Sequence, residues 1–95
     1  MIKARRAKLA VLTAKIEGII SDLDIVLAEI ETESTLQWEM VHDLSDIARE
    51  KHHGRRIEEA ANNLYFASDS VAAALDMLRS APAEIRAAQT GEMLP

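Results

Sequence analysis

The residue types most suited to chemistry lie in one segment, residues 39–56, which reads EMVHDLSDIAREKHHGRR and holds all three histidines of the chain. Within it the spacing Glu-x-x-His occurs twice, as Glu39/His42 and as Glu50/His53. On a helix this spacing puts a carboxylate and an imidazole one turn apart, and ferritin-like di-iron bundles bind metal with such pairs on facing helices. The segment therefore raises the hypothesis of a carboxylate–histidine metal site.

The position of these pairs around a helix argues against that hypothesis. The two pairs lie eleven residues apart, or about 16 Å along a helix, so one ion cannot use both. Leu44 and Ile47 mark one side of this helix, and the acids and histidines fall on nearly the opposite side, which we expect to face solvent. Lys51, His52 and His53 followed by Gly54 are typical of a helix C-terminus. We therefore predict no metal and no cofactor, and metal binding is the second alternative.

Composition favours a small all-α protein. The chain has 95 residues, of which 48% are hydrophobic but only three are aromatic, and alanine, leucine and isoleucine dominate. This balance is typical of helices rather than sheets. A chain of this length buries only about two-thirds of its unfolded surface, so association with a second copy is a natural way to complete the core. The lack of cysteine is compatible with a reducing cytoplasm, and no apolar run is long enough to span a membrane.

Two apolar stripes with alternating spacings of three and four residues predict two long helices that pack against other helices. The first stripe flanks the small residues Ala14, Gly18 and Ser21, and Ile20 and Leu27 widen it. The two stripes consist of Leu9, Leu12, Ile16, Ile19, Leu23, Val26 and Ile30 in the first half, and of Ile57, Ala60, Leu64, Ala67, Val71, Ala74 and Leu78 in the second, where Ala61 and Leu75 flank it.

We predict a single domain over residues 1–95, with helices at roughly 3–32, 35–53, 55–80 and 83–90. A turn near residues 32–35 is favoured because an unbroken helix would place Glu33 and Gln37 on the apolar stripe, and Ser34 and Gln37 have capping-box spacing. Pro82 is expected to end the third helix. The predicted fold is an all-α helical hairpin or three-helix bundle with coiled-coil-like heptads, completed as a homodimer.

Charge is segregated along the chain. Residues 1–15 carry five cations and no acid, whereas residues 16–48 carry nine acids and no lysine or arginine. Residues 49–56 are basic again, and the net charge is −5. With a turn at residues 32–35, the two basic segments would meet at one end of the hairpin. That basic end could bind phosphates, so a nucleic-acid-associated protein is the first alternative function, although the net charge and the lack of interleaved aromatic residues count against it.

Several apolar side chains lie off the stripes and suggest an association surface, since aromatic residues and methionine are enriched at interfaces. Signatures of catalysis are missing: there is no cysteine nucleophile, Gly-rich phosphate loop or nucleophile elbow. We therefore predict that the chain is not an enzyme but a protein–protein interaction module, namely an adaptor, inhibitor or regulatory subunit. The predicted partner-binding residues are Trp38, Val41, Phe66 and Met77, with Arg5, Arg6, Arg55 and Arg56 for an anionic partner.

Overall fold

The computed structural model describes residues 3–93, and every regular element in that range is a helix. Helix α1 runs from Lys3 to His42, the short helix α2 from Asp46 to Glu50, and helix α3 from His52 to Met93. The prediction of an all-α fold is confirmed. The predicted boundaries of the individual helices are wrong at three places.

The first difference concerns residues 32–35, which continue α1 instead of forming a turn. The Thr32 and Thr35 hydroxyls each donate to the carbonyl four residues earlier, those of Ala28 and Glu31, both at 3.0 Å. These bonds remain inside the helix, so the two threonines do not break it. The chain reverses instead at residues 43–45, where Ser45 caps α2 and accepts from the Ala48 amide.

The other two differences concern residues expected to end helices. Gly54 lies in the first turn of α3, and no described glycine has a positive φ, so it is not a left-handed helix terminus. Pro82 lies inside α3, and its ring is buried. The buried ring adds apolar contact, which helps to offset the backbone hydrogen bond that a proline cannot donate. A separate helix at residues 83–90 therefore does not exist.

The described chain divides into two compact units, and each contains parts of both long helices. Unit 1 comprises the stretch of α1 up to Asp24 and the stretch of α3 from Ala73. Unit 2 comprises Ile25–Ala72, which includes the rest of α1, the turn, α2 and the first half of α3.

In unit 1 the two helices run antiparallel. Arg86 pairs with Glu17, and Arg79, one heptad earlier in α3, pairs with Asp24, one heptad later in α1. Between the helices lie two rows of side chains from each, half-buried or buried. They are Leu9, Thr13, Ile16, Ile20 and Leu23 from α1, and Leu75, Leu78, Pro82, Ile85 and Gln89 from α3.

Unit 2 is a helical hairpin closed by the turn and α2. Its best-buried side chains are Val41, at 2% exposure, and Ala61, which is completely buried. The remaining packed positions continue the three-and-four spacing on both helices. They are Leu27, Ile30, Ser34, Gln37 and Trp38 on α1, and Ile57, Leu64, Ser68 and Val71 on α3.

In each predicted stripe, one of the two rows of residues is therefore wrong. The rows that begin at Leu9 and at Ile57 do face the neighbouring helix. The second row of α1 contains Thr13 and Ile20 rather than Leu12 and Ile19, which are exposed. The second row of α3 contains Ala61 and Leu75, whereas Ala67 and Ala74 are exposed, and Ala60 is half-buried.

Candidate partner-binding surfaces

The histidine-rich segment forms the turn region of unit 2. His42 is the last residue of α1, and its ring lies 6.3 Å from that of Trp38. His52 and His53 begin α3 rather than ending a helix. Glu50 ends α2, so the pair Glu50/His53 is split between two helices. Within residues 3–93 no group of three or more histidine or acidic side chains is arranged to hold a metal ion.

Two side-chain hydrogen bonds hold this turn together. The Gln37 amide donates to the Ile57 carbonyl at 3.1 Å and so joins α1 to α3. The Arg49 guanidinium donates to the Val41 carbonyl at 3.2 Å, next to the C-terminus of α1, where a cation is favourable. Gln37 is thus used as a structural hydrogen-bond donor at the position where the sequence analysis expected a helix start.

The eight predicted partner-binding residues comprise two exposed apolar residues, two less exposed apolar residues and four arginines. Phe66 and Met77 are highly exposed, at 61% and 77%. Trp38 is half-buried, and Val41 belongs to the core of unit 2, so its side chain cannot reach a partner while that unit is folded. The four cations form the third group: Arg5, Arg55 and Arg56 are exposed, and Arg6 is half-buried.

Arg6 is tied into unit 1. Its carbonyl accepts a hydrogen bond from the Gln89 side chain at 3.0 Å. Its Nε atom is buried and has no acceptor among the described residues. A half-buried guanidinium is less available to phosphates than the exposed Arg5 beside it.

The basic end proposed from the sequence loses its basis. It required a turn at residues 32–35 to bring residues 3–15 and 49–56 together, and α1 continues through that position. The first segment belongs to unit 1 and the second to unit 2. Each basic segment must therefore be considered by itself.

A further surface, which the sequence pattern does not predict, lies on unit 1. At about 100° per residue, Leu12 and Ile19 lie roughly 150° around α1 from Glu17 and Asp24, with the packed rows between them. The ion pairs to Arg79 and Arg86 thus cover one flank of the helix pair, and Leu12 and Ile19 occupy the other. Their exposures are 39% and 51%. We call this flank, with Ala74 and Ala81 of α3, the unit 1 apolar face.

The alanines belong to this face by the same geometry. Ala74 and Ala81 stand in the same relation to the packed rows of α3 as Leu12 and Ile19 do to those of α1. Because the helices are antiparallel and both are right-handed, these positions fall on the same flank of the pair. One side of unit 1 therefore presents large aliphatic side chains beside short ones.

The opposite flank of unit 1 contains a depression of about 250 Å³ that is open to solvent. The Thr13 hydroxyl in its wall is already committed to the Leu9 carbonyl, at 3.1 Å. Glu17 and Arg86 pair with each other. The depression therefore offers no uncommitted nucleophile or acid–base pair. Its lining residues are Ala10, Thr13, Ala14, Glu17, Arg86 and Gln89.

Exposed apolar side chains also occur in unit 2. Val26 and Met40 lie on the row of α1 that contains Leu12 and Ile19, and both are more than one-third exposed. Tyr65 and Phe66 are exposed on α3, with ring centroids 5.9 Å apart in an edge-to-face arrangement. Edge-to-face geometry is a favoured arrangement of two aromatic rings.

Comparison of the chain with protein-family models, with curated proteins and with solved structures produced no significant match. No helix within residues 3–93 combines the length and the apolar character needed to cross a membrane.

Proposed function

We propose that this chain is a non-catalytic protein–protein interaction module, an adaptor, inhibitor or regulatory subunit, that acts as a helical homodimer in the cytoplasm. The observation that carries the proposal is the balance between exposed and buried apolar side chains. Among the described residues, eleven large hydrophobic side chains are exposed, whereas the fully buried hydrophobic residues are only Val41, Ala61 and Leu75. Exposed apolar side chains that lie together, as Leu12 and Ile19 do on one flank of unit 1, are typical of surfaces that bind other proteins.

The total surface area supports the same proposal. The chain exposes 7016 Å². A compact monomer of 10.5 kDa is expected to expose roughly 5,400 Å². The excess is roughly 1,600 Å² per chain, and a specific protein interface removes about 800 Å² from each partner, so a dimer would cover about half of it.

The absence of a catalytic role is part of the proposal. The polar side chains best placed for chemistry already serve the fold: Gln37 and Arg49 close the turn, and Thr13 bonds its own helix. The exposed surface includes apolar anchors such as Phe66 and Met77. Such a surface suits recognition better than catalysis.

Sedimentation equilibrium over a hundredfold range of concentration tests the proposal. The expected species is a dimer of twice the 10.5 kDa chain mass, which dissociates on dilution. A monomer at every concentration would overturn the homodimer. Binding to duplex DNA at 50 mM salt, with a steep loss as the salt rises, would overturn the protein-interaction role in favour of nucleic acid.

A further inference from the structure

We infer that the occupant of the unit 1 apolar face is a second copy of this chain, whose α1 runs antiparallel to the first α1 and crosses it at Ile19. The inference rests on the proposed homodimer and specifies its geometry. It is carried by the arrangement of charge around the exposed Ile19 side chain.

Lys15 and Asp22 bracket Ile19 on α1. Lys15 lies four residues before Ile19 and Asp22 three residues after it, so both are about one turn away and on the same side of the row. Both side chains are exposed. Neither forms an ion pair within residues 3–93, where the bridges instead join Asp24 and Asp76 to Arg79, and Glu17 to Arg86.

The order of these charges selects the orientation of the partner. If two α1 helices cross antiparallel at Ile19, Lys15 of each copy faces Asp22 of the other, and two complementary pairs form. If the helices were parallel and in register, Lys15 would face Lys15 and Asp22 would face Asp22. Like charges placed opposite each other disfavour that arrangement.

The rest of α1 agrees with this choice. Every lysine and arginine of this helix lies at or before residue 15, and every aspartate and glutamate at or after residue 17. A helix with a basic first part and an acidic remainder is complementary to an antiparallel copy of itself. The midpoint of that complementarity falls close to Ile19.

The apolar part of the face fits the same partner. Ile19 meets its own counterpart at the two-fold axis, where the same residue on both chains must be in contact. Ala74 and Ala81 have side chains too short to hold a second copy away. A partner of other composition would have to supply an acidic and a basic group at the same spacing, whereas a second copy already has both.

Cysteine cross-linking tests this geometry directly because the chain has no cysteine of its own. Under mild oxidation, Ile19→Cys should form a disulfide-linked dimer, since only residues close to the two-fold axis can pair with themselves. Ser21→Cys is the matched control: Ser21 is exposed but lies on the other side of α1, two residues on. It should remain largely uncross-linked.

A second pair of variants fixes the orientation. Lys15→Cys alone and Asp22→Cys alone should cross-link poorly with themselves, whereas an equimolar mixture of the two should yield the heterodimer. Efficient self-cross-linking of Lys15→Cys would overturn the antiparallel arrangement in favour of a parallel one. A dimer by sedimentation with no cross-link at residue 19 would overturn this inference alone, whereas a monomeric wild type would overturn the proposed function as well.

Charge reversal provides an independent test. Lys15→Asp should weaken the dimer about tenfold because both complementary pairs become repulsive. Asp22→Lys should do the same. The double variant Lys15→Asp/Asp22→Lys restores both pairs with reversed sign and should return the dissociation constant to within about threefold of the wild type. Additive weakening in the double variant would overturn the pairing, and far-UV circular dichroism would confirm that each variant keeps its helix.

Discussion

Gly54 lies against the backbone of Ala48. A Cβ atom built on this glycine would stand 2.0 Å from the Ala48 carbonyl oxygen and 2.7 Å from the carbonyl carbon. Both neighbours are backbone atoms of α2, which cannot move aside as a flexible side chain could. The first turn of α3 can therefore pack against α2 only because residue 54 has no side chain.

Gly54→Ala is accordingly expected to destabilise the protein by about 1–3 kcal/mol, because overpacking against backbone forces the turn apart. Gly18→Ala is the matched control: nothing lies within 4 Å of its Cβ position, and it sits inside α1. There the change should stabilise by up to about 1 kcal/mol through helix propensity. Urea unfolding followed by circular dichroism measures both, and equal effects of the two substitutions would contradict the close packing at Gly54.

Arg49→Met should destabilise unit 2 by about 0.5–1.5 kcal/mol, since the Val41 carbonyl loses the guanidinium that donates to it at 3.2 Å. Methionine keeps much of the aliphatic length, so the change removes chiefly the donor and the charge. Arg56→Met, at an exposed position of α3, serves as the control and should change the free energy of unfolding by less than about 0.5 kcal/mol. If the two variants unfold at the same urea concentration, the hydrogen bond from Arg49 contributes nothing measurable.

The helical class could be predicted from the sequence, but only half of each apolar stripe could. In α1 the row at Leu9 and Ile16 has apolar neighbours on both sides, Leu12 and Ile19 on one and Ile20 on the other. Hydrophobicity alone cannot decide which of those rows faces the neighbouring helix. Because it contains Thr13, the row that packs against α3 is more polar in sequence than the row of Leu12 and Ile19. The Thr13 hydroxyl donates to the Leu9 carbonyl, however, and the side chain can therefore be buried.

The position of the turn was missed because its signals were weaker than those at residues 32–35. Thr32 and Thr35 are poor helix formers, but inside a helix their hydroxyls bond to carbonyls of the preceding turn. The true reversal has a signal of its own: Ser45 is a good N-cap residue, and Asp46 places an acid in the first turn of α2. The helix end predicted at Pro82 is wrong for a similar reason, since the residues around Pro82 do not indicate that its ring is buried.

The unit 1 apolar face could not be identified before the packed rows were known. Leu12 and Ile19 belonged to the predicted core, so they could not be candidates for a binding surface. Phe66 and Met77 could be predicted as surface residues because they lie almost opposite the core row of α3. If the core row is shifted by one residue, both side chains are still exposed. Residues at the edge of a stripe are those whose role depends on register.

The ion pairs that link α1 and α3 in unit 1 are expected to contribute little to stability. Arg79 donates to Asp24 at 2.8 Å, but both side chains are about half exposed. Pairs of this kind contribute about 0.2–1 kcal/mol, and salt screens them. A double-mutant cycle with Asp24→Asn and Arg79→Gln should give a coupling energy in that range, and raising the salt to 0.5 M should reduce it. A coupling energy of several kcal/mol would contradict the half-exposed geometry of the Arg79–Asp24 pair.

The packing of α3 predicts opposite outcomes for two residues that lie two positions apart. Leu75 is 1% exposed and Met77 is 77% exposed. Leu75→Ala should leave a cavity in unit 1 and cost about 2–5 kcal/mol, whereas Met77→Ala should change the free energy of unfolding by less than about 0.5 kcal/mol. Thermal and urea unfolding at a fixed, low protein concentration measures both without the contribution of association. The register that puts Ala74 in the core would instead leave Leu75 at the edge of the stripe, so a mild effect of Leu75→Ala would favour that register over the one described.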